Sequence, residues 1–330
     1  MRHRALGRSG LSTAPLVFGG NVFGWTADEA ASRRLLDAFV DGGFNAIDTA
    51  DVYSAWAPGH EGGESESVIG RWLKASGKRD KVLILTKVAM WPKQPGLSAA
   101  NIEAAVEGSL KRLQTDYIDL YQSHQDDAET PIDETLEAFD RLVKAGKVRA
   151  VGASNFSPER LKASLDTSRA RGLARYETVQ PKFNLIDRDQ VEGVLADLTQ
   201  AEGMGVIPYY GLGAGFLSGK YRVEADFEGK ARARTILRDY WNDKGRAVLA
   251  ALDEAAETVG ASPAQVALAW IMAHPLITAP LASATSVEQL DELMGAARLE
   301  LPSEVWKRLD EAGRSSPHSS DAPSESRHPE

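Results

Sequence analysis

Four polar residues stand at or just past the ends of apolar runs: Asp48 after FNAI, Tyr53 in DVYSAW, Lys87 in VLILTK and His124 in IDLYQSH. A carboxylate, a phenol, an ammonium and an imidazole converging from successive strand ends make a proton-relay site. Tyrosine is ordinarily a weak acid, with a pKa of about 10. A neighbouring ammonium stabilises phenolate and lowers that value, and a buried carboxylate holds the ammonium in turn. A neutral histidine beside them orients a carbonyl oxygen or passes a proton. Two other chemistries fit parts of the set. Lys87 could form a Schiff base, and His124 with Asp126 and Asp127 could ligate a divalent metal for hydrolysis. Aromatic residues near the same strand ends, Phe23, Trp25, Trp56, Trp91 and Trp241, together with Val22, are candidates for the wall of an apolar substrate pocket.

Such convergence needs a scaffold that brings strand ends to one mouth. Short runs rich in Val, Ile and Leu recur along the chain: APLVFGG, FNAIDTA, KVLILTK, YIDLYQSH, VRAVGASN, TVQPKFN, GVIPYYG and ITAPLASA. Segments of helical period separate them, at Glu29 to Asp41, Glu64 to Lys74, Ala99 to Leu113, Ile132 to Lys144, Pro158 to Arg169 and Gln190 to Glu202. Buried parallel strands read as continuous apolar runs, and each needs a crossover helix. The pattern predicts an α/β fold, a (β/α)8 TIM barrel whose functional residues gather at the carboxyl ends of the strands. Ser157-Pro158 and Ser262-Pro263 supply N-caps followed by proline at the first helical position. Gly42-Gly43, Gly146 and Gly203 stand where helices should stop. LGRSGLSTAPL predicts an N-terminal β-hairpin that plugs the barrel bottom. A long loop, Leu212 to Asp239, follows the seventh strand, and loops of that length are more often functional than idle. The expected organisation is one barrel domain over residues 1–312 and a flexible polar tail over 313–330.

Composition narrows the function. A formal charge of −9 over 330 residues opposes a nucleic-acid partner, which demands a concentrated basic face. The chain has no cysteine, which excludes disulfides, thiolate metal sites and a cysteine nucleophile and fits a reducing cytoplasm. No apolar stretch approaches the ~20 residues that span a bilayer, so no membrane partner is expected. The sequence carries no signal for an oligomeric state.

Taken together, IDTADVY, GGESESVIG, LTK, YIDLYQSH, GKVRAVGASNF, VQPKFN, YYGLGAGFLSGKY and SATSVEQLDEL resemble, in order and over all but the tail, the motifs of the aldo-keto reductases. The resemblance implies reversible hydride transfer between a nicotinamide dinucleotide and an aldehyde or ketone, with no metal. It makes Tyr53 the proton donor, Lys87 and Asp48 its tuning groups and His124 the group that orients the substrate. Ser154, Asn155 and Gln180 match residues that bind the nicotinamide carboxamide, and Tyr209 matches the aromatic that stacks on the ring. Leu212, Gly213, Gly215 and Lys220 match the pyrophosphate segment, and Ser283, Thr285, Gln289 and Glu292 the adenosine end. Gly20, Asn21 and Asp48 complete the implied cofactor set. The expected cofactor is NADPH/NADP+, with NADH the alternative, and the expected partner is a small carbonyl compound or alcohol. Some relatives of this fold keep the cofactor and act as redox-sensing or regulatory modules with little turnover.

The chain departs from the common pattern at Ser283-Ala284, at Thr285, where no cation stands for a 2′-phosphate, at Leu293 and at Tyr210-Gly211. An arginine of the long loop, Arg222, Arg232 or Arg234, is expected to supply the missing charge.

Overall fold

The computed structural model describes residues 1–230 and 232–314; most of the expected tail lies outside them. An antiparallel hairpin of β1 (Arg4–Ala5) and β2 (Ser12–Thr13) precedes eight parallel strands. These are β3 (Val17–Gly19), β4 (Ala46–Asp48), β5 (Leu83–Val88), β6 (Ile118–Ser123), β7 (Val148–Ser154), β8 (Tyr176–Gln180), β9 (Gly205–Val206) and β10 (Leu281–Ala282). They pair in chain order, and β10 also pairs with β3. The Thr278 N–H donates to Val206 O (2.8 Å) and the Leu281 N–H to Pro208 O (2.8 Å). These bonds join the two remaining edges, so the sheet curls into the expected (β/α)8 barrel. Strands β9 and β10 are shorter than the apolar runs around them because Pro208 and Pro280 have no N–H to give to a ladder.

Crossover helices α1 (Glu29–Asp41), α2 (Glu64–Ser76), α3 (Ala99–Leu113), α4 (Ile132–Lys144), α5 (Pro158–Arg171) and α6 (Val194–Glu202) follow the first six barrel strands. Ser157 Oγ accepts from the Arg160 N–H, and Ser262 forms a full capping box with Gln265. Helix α6 begins later than its sequence pattern predicts, because Gly193 (φ 92°, ψ −133°) breaks helical geometry just before Val194. The long segment after β9 is not a bare loop. It holds 3-10 turns at Gly213–Ser218 and Glu224–Phe227 and a short α7 (Ala233–Asp239), then leads into α8 (Asp243–Val259) and α9 (Pro263–Ala273). It carries its own small core: Tyr221 stacks on Phe227 (5.0 Å between centroids), which packs edge-on against Trp241 (5.1 Å). Trp241 is thus held in place by this insert. After β10, α10 (Val287–Ala296) and α11 (Ser303–Gly313) complete the helical layer.

Two cores follow from the period of two along each strand. Val17, Leu85, Leu120, Ala150, Ile207 and Leu281 fill the barrel interior, whereas Ile47, Ile84, Val88, Tyr121 and Val151 pack outward against the helices. The hairpin adds Leu6 and Leu11 to the interior cluster, so it does plug the bottom. This plug requires Gly7, whose φ is +60° and where a Cβ would lie 2.1 Å from the Glu177 carbonyl oxygen. Gly7→Ala is expected to cost about 2 kcal/mol or more, read as a lower denaturant midpoint with an unchanged slope.

Candidate active site

Period-two alternation also delivers the polar residues. On β5, Leu83 and Leu85 face inward, so Lys87 does too; on β4, Ala46 is followed inward by Asp48; on β6, Leu120 is followed by Gln122. Each apolar interior layer is thus capped, at the carboxyl end of its strands, by a polar one. Lys87 Nζ donates to Asp48 Oδ2 (2.5 Å), Thr49 O (2.8 Å) and Tyr53 Oη (2.9 Å). Both Lys87 and Asp48 are fully buried. Tyr53 Oη lies 3.4 Å from Asp48 Oδ2. The other carboxylate oxygen, Oδ1, accepts from Gln180 Nε2 (3.0 Å) and Gln122 Nε2 (3.3 Å). The His124 ring meets the Tyr53 ring edge to face at 5.9 Å, and its buried Nδ1 has no hydrogen-bond partner. All four sequence-predicted residues therefore meet. Gln122 was not among them, and the signal was a lone amide inside an apolar strand, two residues before His124.

Burial governs the ionisation of this set. It pushes the Tyr53 phenol well above its ordinary value, and the Asp48 carboxylate pushes it further. The sequence-based expectation that the ammonium would lower this pKa is thus reversed, because desolvation penalises a phenolate. Tyr53 is a neutral hydrogen-bond donor at neutral pH. Burial also lowers Lys87, an effect opposed by Asp48. His124 falls well below its ordinary value through burial and the Lys87 charge, so its imidazole is neutral. Backbone strain gathers at the same mouth: Ser54 (φ 75°), Ala89 (φ 110°), Asn155 (φ 56°), Tyr210 (φ 64°) and Ala214 (φ 57°) follow strand ends in a conformation that side chains rarely adopt.

A family profile described as "Aldo/keto reductase family" matches residues 15–314. This chain belongs to the aldo/keto reductase family. It is 36% identical over 320 residues to the uncharacterized oxidoreductase YrpG of Bacillus subtilis (strain 168), with 94% of this chain and 95% of that protein covered. It is 38% identical over 310 residues to the aldo-keto reductase YhdN of the same organism, with coverages of 92% and 88%. It is also 31% identical over 312 residues to a probable voltage-gated potassium channel subunit beta of Oryza sativa subsp. japonica, with coverages of 90% and 91%. Enzymes of the aldo/keto reductase family are oxidoreductases that typically use nicotinamide cofactors and act on small molecules. Among the described residues no helix is long and apolar enough to cross a membrane.

Within this aldo/keto reductase barrel, part of the set matched to a cofactor is joined by hydrogen bonds. Tyr209 Oη donates to Asn155 Oδ1 (2.8 Å), while Asn155 Nδ2 donates to Ser154 Oγ (3.1 Å) and His124 O (2.9 Å). Ser154 Oγ donates to Gln180 O (2.9 Å), which ties these residues to Asp48 through the Gln180 amide. At the first strand, Ser283 Oγ donates to Asn21 Oδ1 (2.6 Å), and a Cβ on Gly20 would lie 2.9 Å from Asp48 O. Gly213, Ala214 and Gly215 turn with positive φ, and Lys220 Nζ lies 3.3 Å from where a Gly215 Cβ would stand. Burial, then the charges of Arg232 and Lys230, lower the Lys220 pKa. Gln289 Oε1 accepts from both the Thr285 N–H (3.0 Å) and Oγ1 (3.1 Å). Leu212 lies partly buried against the core at the start of the turn, and Glu292 lies on α10.

The aromatic candidates divide. Trp56 packs edge-on against Tyr53 (5.9 Å) and Trp25 (5.5 Å), and it is 48% exposed, so these rings run from the phenol to the surface. Phe23 is instead fully buried against Phe18 (5.3 Å), and Val22 is buried in the same core. Trp91 is tied by Nε1 to Glu61 O (2.8 Å), with the Arg112 guanidinium 5.3 Å from its ring. Arg222 is clasped by both oxygens of Asp253 (2.7 Å each) in an exposed ion pair.

Proposed function

We propose that this protein reduces an aldehyde or ketone to the alcohol, reversibly, with Tyr53 as general acid and a reduced nicotinamide dinucleotide as hydride donor. The observation that carries this reading is the buried Lys87 ammonium, which bridges the Asp48 carboxylate and the Tyr53 phenol. When bound, the dinucleotide supplies the hydride; the rest of the chemistry belongs to the chain. Tyr53 gives its proton to the carbonyl oxygen as charge develops there, and Lys87 stabilises the phenolate that remains. Neutral His124 presents a hydrogen-bonding nitrogen to the same oxygen without competing as an acid. Asp48, with its two amide donors, keeps the ammonium in place in a fully buried site.

The cofactor reading rests on the hydrogen-bonded residues described above. Ser154, Asn155 and Gln180 offer amide and hydroxyl partners for a carboxamide, the Tyr209 ring offers a flat apolar face, and the small residues at 213 and 215 allow a pyrophosphate to approach Lys220. With Arg222 paired to Asp253, we assign the 2′-phosphate to Arg232, whose charge acts on Lys220. Arg232→Ala is expected to weaken NADPH binding about tenfold and NADH binding much less, whereas Lys220→Ala weakens both. Equal affinities for NADPH before and after the Arg232 change would assign the 2′-phosphate to another group. Trp25 and Trp56 favour an aromatic or apolar carbonyl compound. We assign residues 1–312 to the catalytic barrel and the residues beyond to an appended tail.

The deciding experiment follows consumption of NADPH, and separately NADH, by the purified protein with 4-nitrobenzaldehyde. Aldehyde-dependent oxidation supports the reductase. A second reading draws on the similarity to the potassium channel beta subunit: a cofactor-bound regulatory module. Saturable cofactor binding without turnover on any aldehyde would favour it.

A further inference from the structure

A second set of charged groups lies on the outer face of the barrel wall, across β5 from the Asp48–Lys87 pair. Glu66 of α2 is fully buried; its Oε1 accepts from Thr86 Oγ1 (2.6 Å) and its Oε2 from Arg112 Nε (2.7 Å) of α3. Asp51, in the turn after β4, is also fully buried, and its N–H donates to Lys87 O (3.3 Å). Neither of its carboxyl oxygens has a hydrogen-bond partner within bonding geometry, and the pull of the Val52 N–H on its ionisation is outweighed by burial. The Tyr121 hydroxyl of β6, whose ionisation is opposed by burial and then by the Asp51 charge, is likewise buried without a partner.

The charges of the two layers pair off unevenly. Lys87 answers Asp48, and Arg112 answers Glu66, which leaves Asp51 as a buried carboxyl with no cation of its own. Burying an unpaired carboxylate is costly, so the group keeps its proton. Burial and the neighbouring Glu66 charge raise its pKa to about 7, against the opposite pull of Arg112 and Lys87. The groups that face it are thus Glu66 from α2, Arg112 from α3, Lys87 from β5 and Tyr121 from β6. Loss of the Asp51 proton in turn strengthens the hold of Lys87 on its own.

We propose that Asp51 is a positioning residue for the Tyr53 proton: neutral Asp51 leaves Tyr53 the stronger acid for carbonyl reduction, and ionised Asp51 makes Lys87 and Tyr53 hold their protons more tightly. Tyr53 remains protonated through neutrality in either state, so acid strength changes rather than the amount of acid. Reduction is favoured below neutrality and alcohol oxidation above it. This inference rests on the reductase reading for its kinetic consequence, but the ionisation of Asp51 does not.

Infrared difference spectra of the full-length protein across neutral pH separate the two. The expected result is a band of a protonated carboxylic acid that vanishes as pH rises through about 7 and is missing in Asp51→Asn. Removing the Lys87 charge, as in Lys87→Met, should move that midpoint upward, because coupling between two ionisations is reciprocal. In a protein that turns over, the single-turnover rate of aldehyde reduction should fall about threefold between about pH 6 and about pH 8.5, and Asp51→Asn should abolish that step. Glu66→Gln serves as a second variant and should shift the step to lower pH. A merely structural Asp51 would lower the rate equally at every pH. Absence of the titrating band overturns the proposal whether or not the protein is an enzyme, as does a band whose midpoint ignores Lys87 or a kinetic step that survives in Asp51→Asn. Lack of turnover with the band and its coupling intact would count against the reductase reading alone.

Discussion

Tyr53→Phe is expected to lower the rate of aldehyde reduction by about a hundredfold to ten-thousandfold, the range over which a positioned acid contributes. The substitution removes one oxygen and leaves the ring in its contacts with His124 and Trp56. Lys87 Nζ keeps two of its three acceptors, Asp48 Oδ2 and Thr49 O. Cofactor affinity should therefore stay within about twofold, and the loss should appear in kcat rather than in cofactor binding. Single-turnover rates at saturating cofactor check this directly. A rate within tenfold of the parent would remove Tyr53 from the role of acid and shift attention to His124, the other buried group of suitable chemistry.

The second large effect concerns the buried ion pair. Asp48→Asn leaves the Lys87 ammonium in a fully buried site with only neutral acceptors, and Lys87→Met leaves the carboxylate with only neutral donors, the two glutamine amides and the Tyr53 hydroxyl. Breaking such a pair from either side costs about 3–5 kcal/mol of stability, because one charge stays desolvated and unbalanced. The double change, Asp48→Asn with Lys87→Met, removes both charges and should recover much of that loss. Denaturant unfolding of the two single variants and the double variant measures the coupling as a cycle. Additive losses would mean that the pair contributes to the fold only as separate side chains. Activity should not recover with stability: the double variant has no ammonium to stabilise a phenolate. The cycle thus separates what the pair does for the fold from what it does for the proton.

How much of this was legible in the chain depends on the range of the interaction. Helices α1, α3 and α4 run over the residues their periodicity predicts, and Ser157 and Ser262 cap the helices they precede. Caps, turns and amphipathic faces are set by neighbours within a few residues, so they are written locally. The barrel and its four-residue polar mouth were legible for a related reason. A strand of fixed period carries its last inward position to the mouth beside its neighbours, and Asp48 and Lys87 occupy such positions, with His124 directly after the end of β6. The long insert was less legible. Its aromatic core joins Tyr221, Phe227 and Trp241, residues without periodic spacing.

By itself, then, the sequence determined which side chains could move a proton and that eight strand ends would gather them, because both depend on residue type and strand period. Only the tertiary structure decided how those groups ionise and which others join them. Burial, a property of the whole packed layer, reversed the expected direction for Tyr53. Gln122 reached Asp48 from 74 residues away, and Asp51 became an unpaired acid because Arg112 was taken by Glu66. Charge balance in a dry interior is settled by partners distant along the chain, and no local pattern of residues records it.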